Sequence, residues 1–186
     1  MQKDELIARL DAPMKFQMVA TATAILESHD PDINDLLDIS FHKKKEIAFR
    51  AAWMLEYLMT HDPEHFSGYI ARLLELLPEQ KNHSAMRHYT KIIALLTDRK
   101  ADRVYQKLVK ELDFEPVIDV LFLRLIDTET LVATKVHCMQ ALANLVPRYE
   151  WIKDDLEQTI DYLTDIESIA FFARAKMVRK QLKRIK

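Results

Sequence analysis

An all-α protein built of stacked helical hairpins is predicted by three features of this 186-residue sequence. Apolar residues recur at three- and four-residue steps along almost the whole chain, and no segment alternates as a strand does. There is a single glycine, Gly68, whereas tight two-residue β-hairpins favour glycine. Small and apolar residues also repeat at fixed helical offsets from five leucines. Hydrophobic residues make up 49% of the chain, enough for a sizeable core and against disorder.

The periodicity predicts helices over 2–10, 14–28, 31–39, 42–60, 63–77, 83–97, 101–112, 116–126, 128–146, 150–163 and 166–185. Two joints share a phrase, Ser28-His29-Asp30-Pro31 and Thr60-His61-Asp62-Pro63. An aspartate caps free N–H groups with its carboxylate, and a proline at the first helical position loses no needed donor. Asp30 and Asp62 are therefore expected to be N-caps. His29 and His61 close the preceding helices, where the helix dipole favours a cation. Glu115-Pro116 makes a similar start, and Thr164-Asp165-Ile166-Glu167 reads as a capping box. Val117–Ile126 is apolar at eight of ten positions, too many for one amphipathic face. It is expected to be largely covered, by neighbouring helices or through self-association.

The anchors of the repeat are Leu26, Leu58, Leu96, Leu145 and Leu182, spaced by 32, 38, 49 and 37 residues. Four residues before them stand Ala22, Met54, Ile92, Ala141 and Val178; seven before stand Val19, Ala51, Tyr89, Cys138 and Ala175. Both offsets share a helix face with the anchor. The long spacing is assigned to an added segment at 116–126. Helical pairs of this length stack into one continuous core, so residues 1–186 are expected to form a single α-solenoid domain of about five right-handed hairpins.

"EIAFRAAWMLEYL" (Glu46–Leu58) resembles the second helix of a HEAT-type repeat, with its apolar-Arg-small-small run. "ATKVHCMQALANLV" (Ala133–Val146) and "FFARAKMVRKQL" (Phe171–Leu182) are similar. The chain departs from that family in lacking its usual helix-ending glycine and in its uneven repeat lengths. The resemblance implies a HEAT/armadillo-like superhelix that binds proteins, sometimes nucleic acids; it does not imply an enzyme, and none is expected.

Composition excludes much chemistry. Phosphate-binding loops and nucleophile elbows need several glycines, because the backbone must take positive φ or approach a ligand closely. Cys138 is the only cysteine, so no intramolecular disulfide can form. It stands at a core position and reads as a small buried hydrophobe rather than a nucleophile. The chain opens on no signal peptide and has no apolar run of the roughly 20 residues that span a bilayer, so a cytoplasmic protein is expected. His61 and His65 have the i, i+4 spacing of a zinc helix, but Asp62-Pro63 is expected to break the helix between them, and no metal or cofactor is assigned.

Net charge is −2 and uneven. Residues 170–186 carry seven basic side chains and no acid, leaving 20 basic against 29 acidic residues elsewhere, a balance of about −9.

One stripe stands out. Eight residues before the anchors stand Met18, Arg50, His88, His137 and Arg174; five before stand Trp53, Lys91, Gln140 and Met177; one before stand Tyr57, Leu95, Asn144 and Gln181. These offsets span about 60° of a helix. Stacking would align the stripes into a ladder lining a concave groove. Arg50, Trp53, Tyr57, His88, Lys91, His137, Gln140, Asn144 and Arg174 are the candidate partner-binding residues. The alternative for the same residues is that Arg and His bridge neighbouring repeats while Trp53 simply packs. A protein partner anchored by Trp53 and Tyr57 is the leading reading, since aromatic and arginine side chains dominate interface energetics. Nucleic acid held by the cationic ladder and the basic C-terminal helix is the alternative, against which the acidic remainder counts.

Overall fold

The computed structural model describes residues 2–13 and 18–185, the side chain of Met18 excepted. Residues 14–17, which open the helix expected over 14–28, and the Met18 position of the stripe lie outside the described residues. Among the described residues there are twelve α-helices and no strand. They are α1 (Lys3–Asp11), α2 (Met18–His29), α3 (Ile33–Ile39), α4 (Lys45–His61), α5 (Pro63–Ser67), α6 (Ile70–Leu76), α7 (His83–Leu96), α8 (Arg103–Glu111), α9 (Glu115–Ile126), α10 (Val132–Leu145), α11 (Ile152–Thr164) and α12 (Ile169–Leu182). The helix expected over 63–77 is divided at Gly68-Tyr69. No described helix is long and apolar enough to cross a membrane.

The chain forms two compact units, Met1–Tyr89 and Thr90–Lys186. In the first, α1, α2, α3 and α5 all pack on α4. That helix can sit centrally because Ala48, Ala51 and Ala52 are fully buried and let neighbouring backbones approach, while Met54 and Leu55 fill the space between them. In the second unit α9, α11 and α12 pack on α10. Its Cys138, Ala141 and Ala143 serve the same purpose, and all three are fully buried.

The repeat register is visible in the core. All five residues four before the anchors are fully buried: Ala22, Met54, Ile92, Ala141 and Val178. Of those seven before, Val19 alone is open, at 56% exposure. Of the anchors, Leu26, Leu96, Leu145 and Leu182 are buried, but Leu58 is only half-buried. The helix end in that repeat is held instead by Met59, one residue on and 2% exposed.

The two His-Asp-Pro joints differ. Asp62 caps α5, its carboxylate accepting from the His65 N–H at 3.3 Å with Pro63 in the first turn. Asp30 does not cap α3. It takes a positive φ of 39°, and its N–H donates to the Leu26 carbonyl, ending α2 in the left-handed turn usually given to glycine. The cap of α3 is Asp32, which accepts from the Asn34 N–H at 2.8 Å. A second aspartate after Pro31 took the role and freed the first.

The surplus in the 49-residue spacing is α8, not the segment at 116–126. Among α8's residues only Tyr105 is buried. Helix α9 packs directly on α10 as its hairpin partner and buries Val117, Ile118, Leu121 and Leu125. Its cover is incomplete, because Leu123 and Ile126 on the outer side are exposed. No capping box forms at Thr164: α11 runs through that residue, and its hydroxyl donates back to the Ile160 carbonyl at 2.6 Å.

Candidate functional site

The stripe read from the sequence occupies two faces, one in each unit. On α4, successive i, i+4 positions carry Trp53, Tyr57 and His61, which a helix brings side by side. Their rings form one stack: Trp53 to Tyr57 at 5.6 Å and 29°, and Tyr57 to His61 at 3.8 Å and 9°. The His61 ring is held by its Nδ1, which lies 2.8 Å from the Tyr57 carbonyl and 2.9 Å from the Thr60 hydroxyl. Trp53 and Tyr57 are half-buried and His61 is exposed. The stack is therefore partly covered and partly open to solvent. His65 turns away onto Tyr69, ring centroids 5.7 Å apart, so the two histidines of the zinc-like spacing rest on different partners.

The neighbours of this stack are committed to the fold. Arg50 does not project freely. Its guanidinium donates to the carbonyls of Leu10 and, at 2.9 Å, Ala12, closing the C-terminal end of α1. His88 on α7 is buried, 5% exposed, and so is no surface residue. Its Nδ1 meets the Glu56 carboxylate at 2.6 Å and its ring tilts against Phe49. This is the bridge between helices anticipated as the alternative for the histidine. Its Nε2 is buried with no hydrogen-bond partner among the described residues.

In the second unit the stripe residues bond to one another. The Gln140 amide donates to Asn144 at 2.9 Å and to Gln181 at 3.0 Å, and its oxygen accepts from Arg174 at 3.0 Å. The Gln181 amide donates to Asn144 at 3.0 Å. Asn144 in turn donates to the Ala94 carbonyl at 3.0 Å and the Thr97 hydroxyl at 3.3 Å near the end of α7. Amide side chains carry both donors and acceptors, which lets them close such a network on themselves. Lys91 and His137 are half-buried, and each is engaged with other groups.

Cys138 is fully buried, and burial pushes its thiol up to about 12, so it stays protonated and inert. Among the described residues no cluster of three or more potential ligands for a metal ion is found.

Several structural polar contacts carried no local sequence signal. Arg148 donates to Leu112 at 2.6 Å and to Val109, closing α8 as Arg50 closes α1. Lys135, 2% exposed, is paired with Glu167. Tyr89 and Gln80 converge on Ser40: the Tyr89 and Ser40 hydroxyls are 2.8 Å apart, and Gln80 donates to the Ser40 carbonyl at 3.1 Å. All join residues more than 30 positions apart.

A family model described as a HEAT repeat domain matches residues 6–183. No curated protein and no solved structure matches the chain.

Proposed function

Because the chain belongs to the HEAT repeat family, whose members generally serve as protein-interaction scaffolds, we propose that it is a non-catalytic interaction module that holds a protein segment against the α4 face. The observation carrying this reading is the half-open stack of Trp53, Tyr57 and His61. Three rings held in register give a rigid, amphipathic surface that loses little conformational entropy on binding. Arg50 supports the face by fixing α1 beside it. Gln140, Asn144 and Arg174 bond to one another in the second unit, and Lys91 and His137 are engaged with other groups, so the reading rests on the α4 face; His88 braces α7 on α4.

The test is affinity purification of the tagged protein from its native cell, followed by titration with the recovered partner. Trp53→Ala should weaken binding by about 2 kcal/mol, roughly thirtyfold, as buried interface aromatics do. Unchanged affinity for that variant would refute the reading.

Exposed Leu123 and Ile126 favour self-association through α9 as a second reading. Light scattering of the protein and of Leu123→Ser over a range of concentrations tests it. A dimer lost in the variant supports it, and a monomer throughout removes it.

A further inference from the structure

Helix α12 is apolar on the side that meets α10 and α11, where Phe171, Val178 and Leu182 are buried. Its opposite side is not simply a solvated polar face. Ile169 is 86% exposed and Met177 61% exposed, the first more than any other large hydrophobic residue described. In the same sector stand Lys176, Lys180, Lys183 and Arg184, all exposed. At 100° per residue Ile169, Lys176, Met177 and Lys180 lie within roughly 100° of the helix, along about 16 Å of its axis, and Lys183 and Arg184 continue the row in the turn that follows. Arg174 and Arg179 are used internally, by Gln140 and Asp161, but the four exposed cations have no ion pair among the described residues. The sector therefore runs from exposed Ile169 at its N-terminal end, through Met177 beside Lys176, to a cationic C-terminal end at Lys180, Lys183 and Arg184.

We infer that this α12 face is a second docking surface, whose occupant is an acidic segment of a protein partner carrying apolar residues at one end. Charge complementarity selects the acid, since four adjacent cations on a chain whose remaining charge is negative form a local field for carboxylates. Ile169 and Met177 select the apolar end. A phosphate backbone would engage the cations but leave both side chains exposed. A membrane surface needs a broad apolar face along the helix, whereas Phe171, Val178 and Leu182 are buried in the protein and only Ile169 and Met177 are left open. A symmetric pairing of two copies would set the same four cations against themselves.

The experiment is a peptide-display selection of 20-residue segments on the intact protein, followed by titration of the enriched peptides. The expected result is enrichment of peptides rich in Asp and Glu with apolar residues at one end. Their affinity should fall at least tenfold in the K180E/K183E variant and about fivefold in Met177→Ser. Both changes are at exposed positions, and circular dichroism of each variant verifies that the fold is kept. Trp53→Ala should bind these peptides like the unaltered protein, which separates this surface from the α4 face. The inference is overturned if no acidic peptide is enriched, or if the enriched ones bind the K180E/K183E variant equally well. It is also overturned if a 20-base-pair DNA duplex or phosphatidylserine vesicles bind α12 more tightly than the peptides, or if light scattering shows the face consumed by a second copy.

Discussion

The α4 face of the first unit and the α10–α12 face of the second stand at the same offsets from their repeat anchors, yet their chemistry is opposite. On α4 the offsets carry Trp53 and Tyr57, whose rings stack along one helix and stay partly open to solvent. On α10 and α12 they carry Gln140, Asn144, Arg174 and Gln181, which hydrogen-bond to one another within α10 and between the two helices. Repeat geometry sets where a side chain stands. Side-chain type sets whether its bonding capacity is used up inside the protein. The half-exposed rings keep apolar surface open to solvent.

The largest effect expected is in the core beneath each face. Leu55 is fully buried on α4 and Leu142 on α10. Alanine at either should cost about 2–5 kcal/mol through the cavity left behind, measured by urea unfolding. Leu58→Ala should cost less than Leu55→Ala, because Leu58 is only half-buried. Equal losses would mean that the repeat anchor, not burial, sets the energy.

Next comes the amide network. Asn144→Ala strands donors and acceptors on Gln140, Gln181 and the Ala94 carbonyl, and should cost about 1–3 kcal/mol. A loss below the error of the measurement would show that water replaces the network, and the contrast between the two faces would weaken.

Alkaline titration gives an effect that appears only above pH 9 and reaches both units. Burial raises Tyr89 from 10.0 to about 12 and Cys138 from 9.0 to about 12. A folded-state value above the unfolded one favours the native state while the group stays protonated. That stability is complete below pH 9 for Cys138 and below pH 10 for Tyr89, and is lost as pH rises toward 12. Tyr89→Phe should flatten the fall in melting temperature between pH 10 and 12, and Cys138→Ala the fall that begins at pH 9. Identical slopes in all three proteins would contradict the burial of these groups.

How much of this was legible follows from the range of each interaction. The all-α class and the buried register at Ala22, Met54, Ile92, Ala141 and Val178 could be read because helical periodicity is local. So could the Asp62 cap, where only one acid precedes the helix in position. Asp30 was misread because Asp-Pro-Asp offers two candidate caps, and backbone geometry chose the second. A bridging role could be read as an alternative for Arg50 and His88, but their partners could not, and Arg148 and Lys135 carried no signal at all. Each is satisfied by a group more than 30 residues away, and nothing in the neighbouring sequence names that partner. The partly open aromatic stack could be read because Trp53 and Tyr57 are four apart. Its extension to His61 shows only once α4 is seen to continue through that residue.

The contrast between the faces is tested most directly by equilibrium urea unfolding of Trp53→Ala beside Leu55→Ala and Asn144→Ala. If the α4 stack is a surface kept open for a partner, Trp53→Ala should shift the midpoint least, with a cost of about 1 kcal/mol, as a half-exposed side chain that leaves no buried group unpaired. If Trp53→Ala unfolds the protein as readily as Leu55→Ala, the ring is part of the core and the α4 face is not a binding surface.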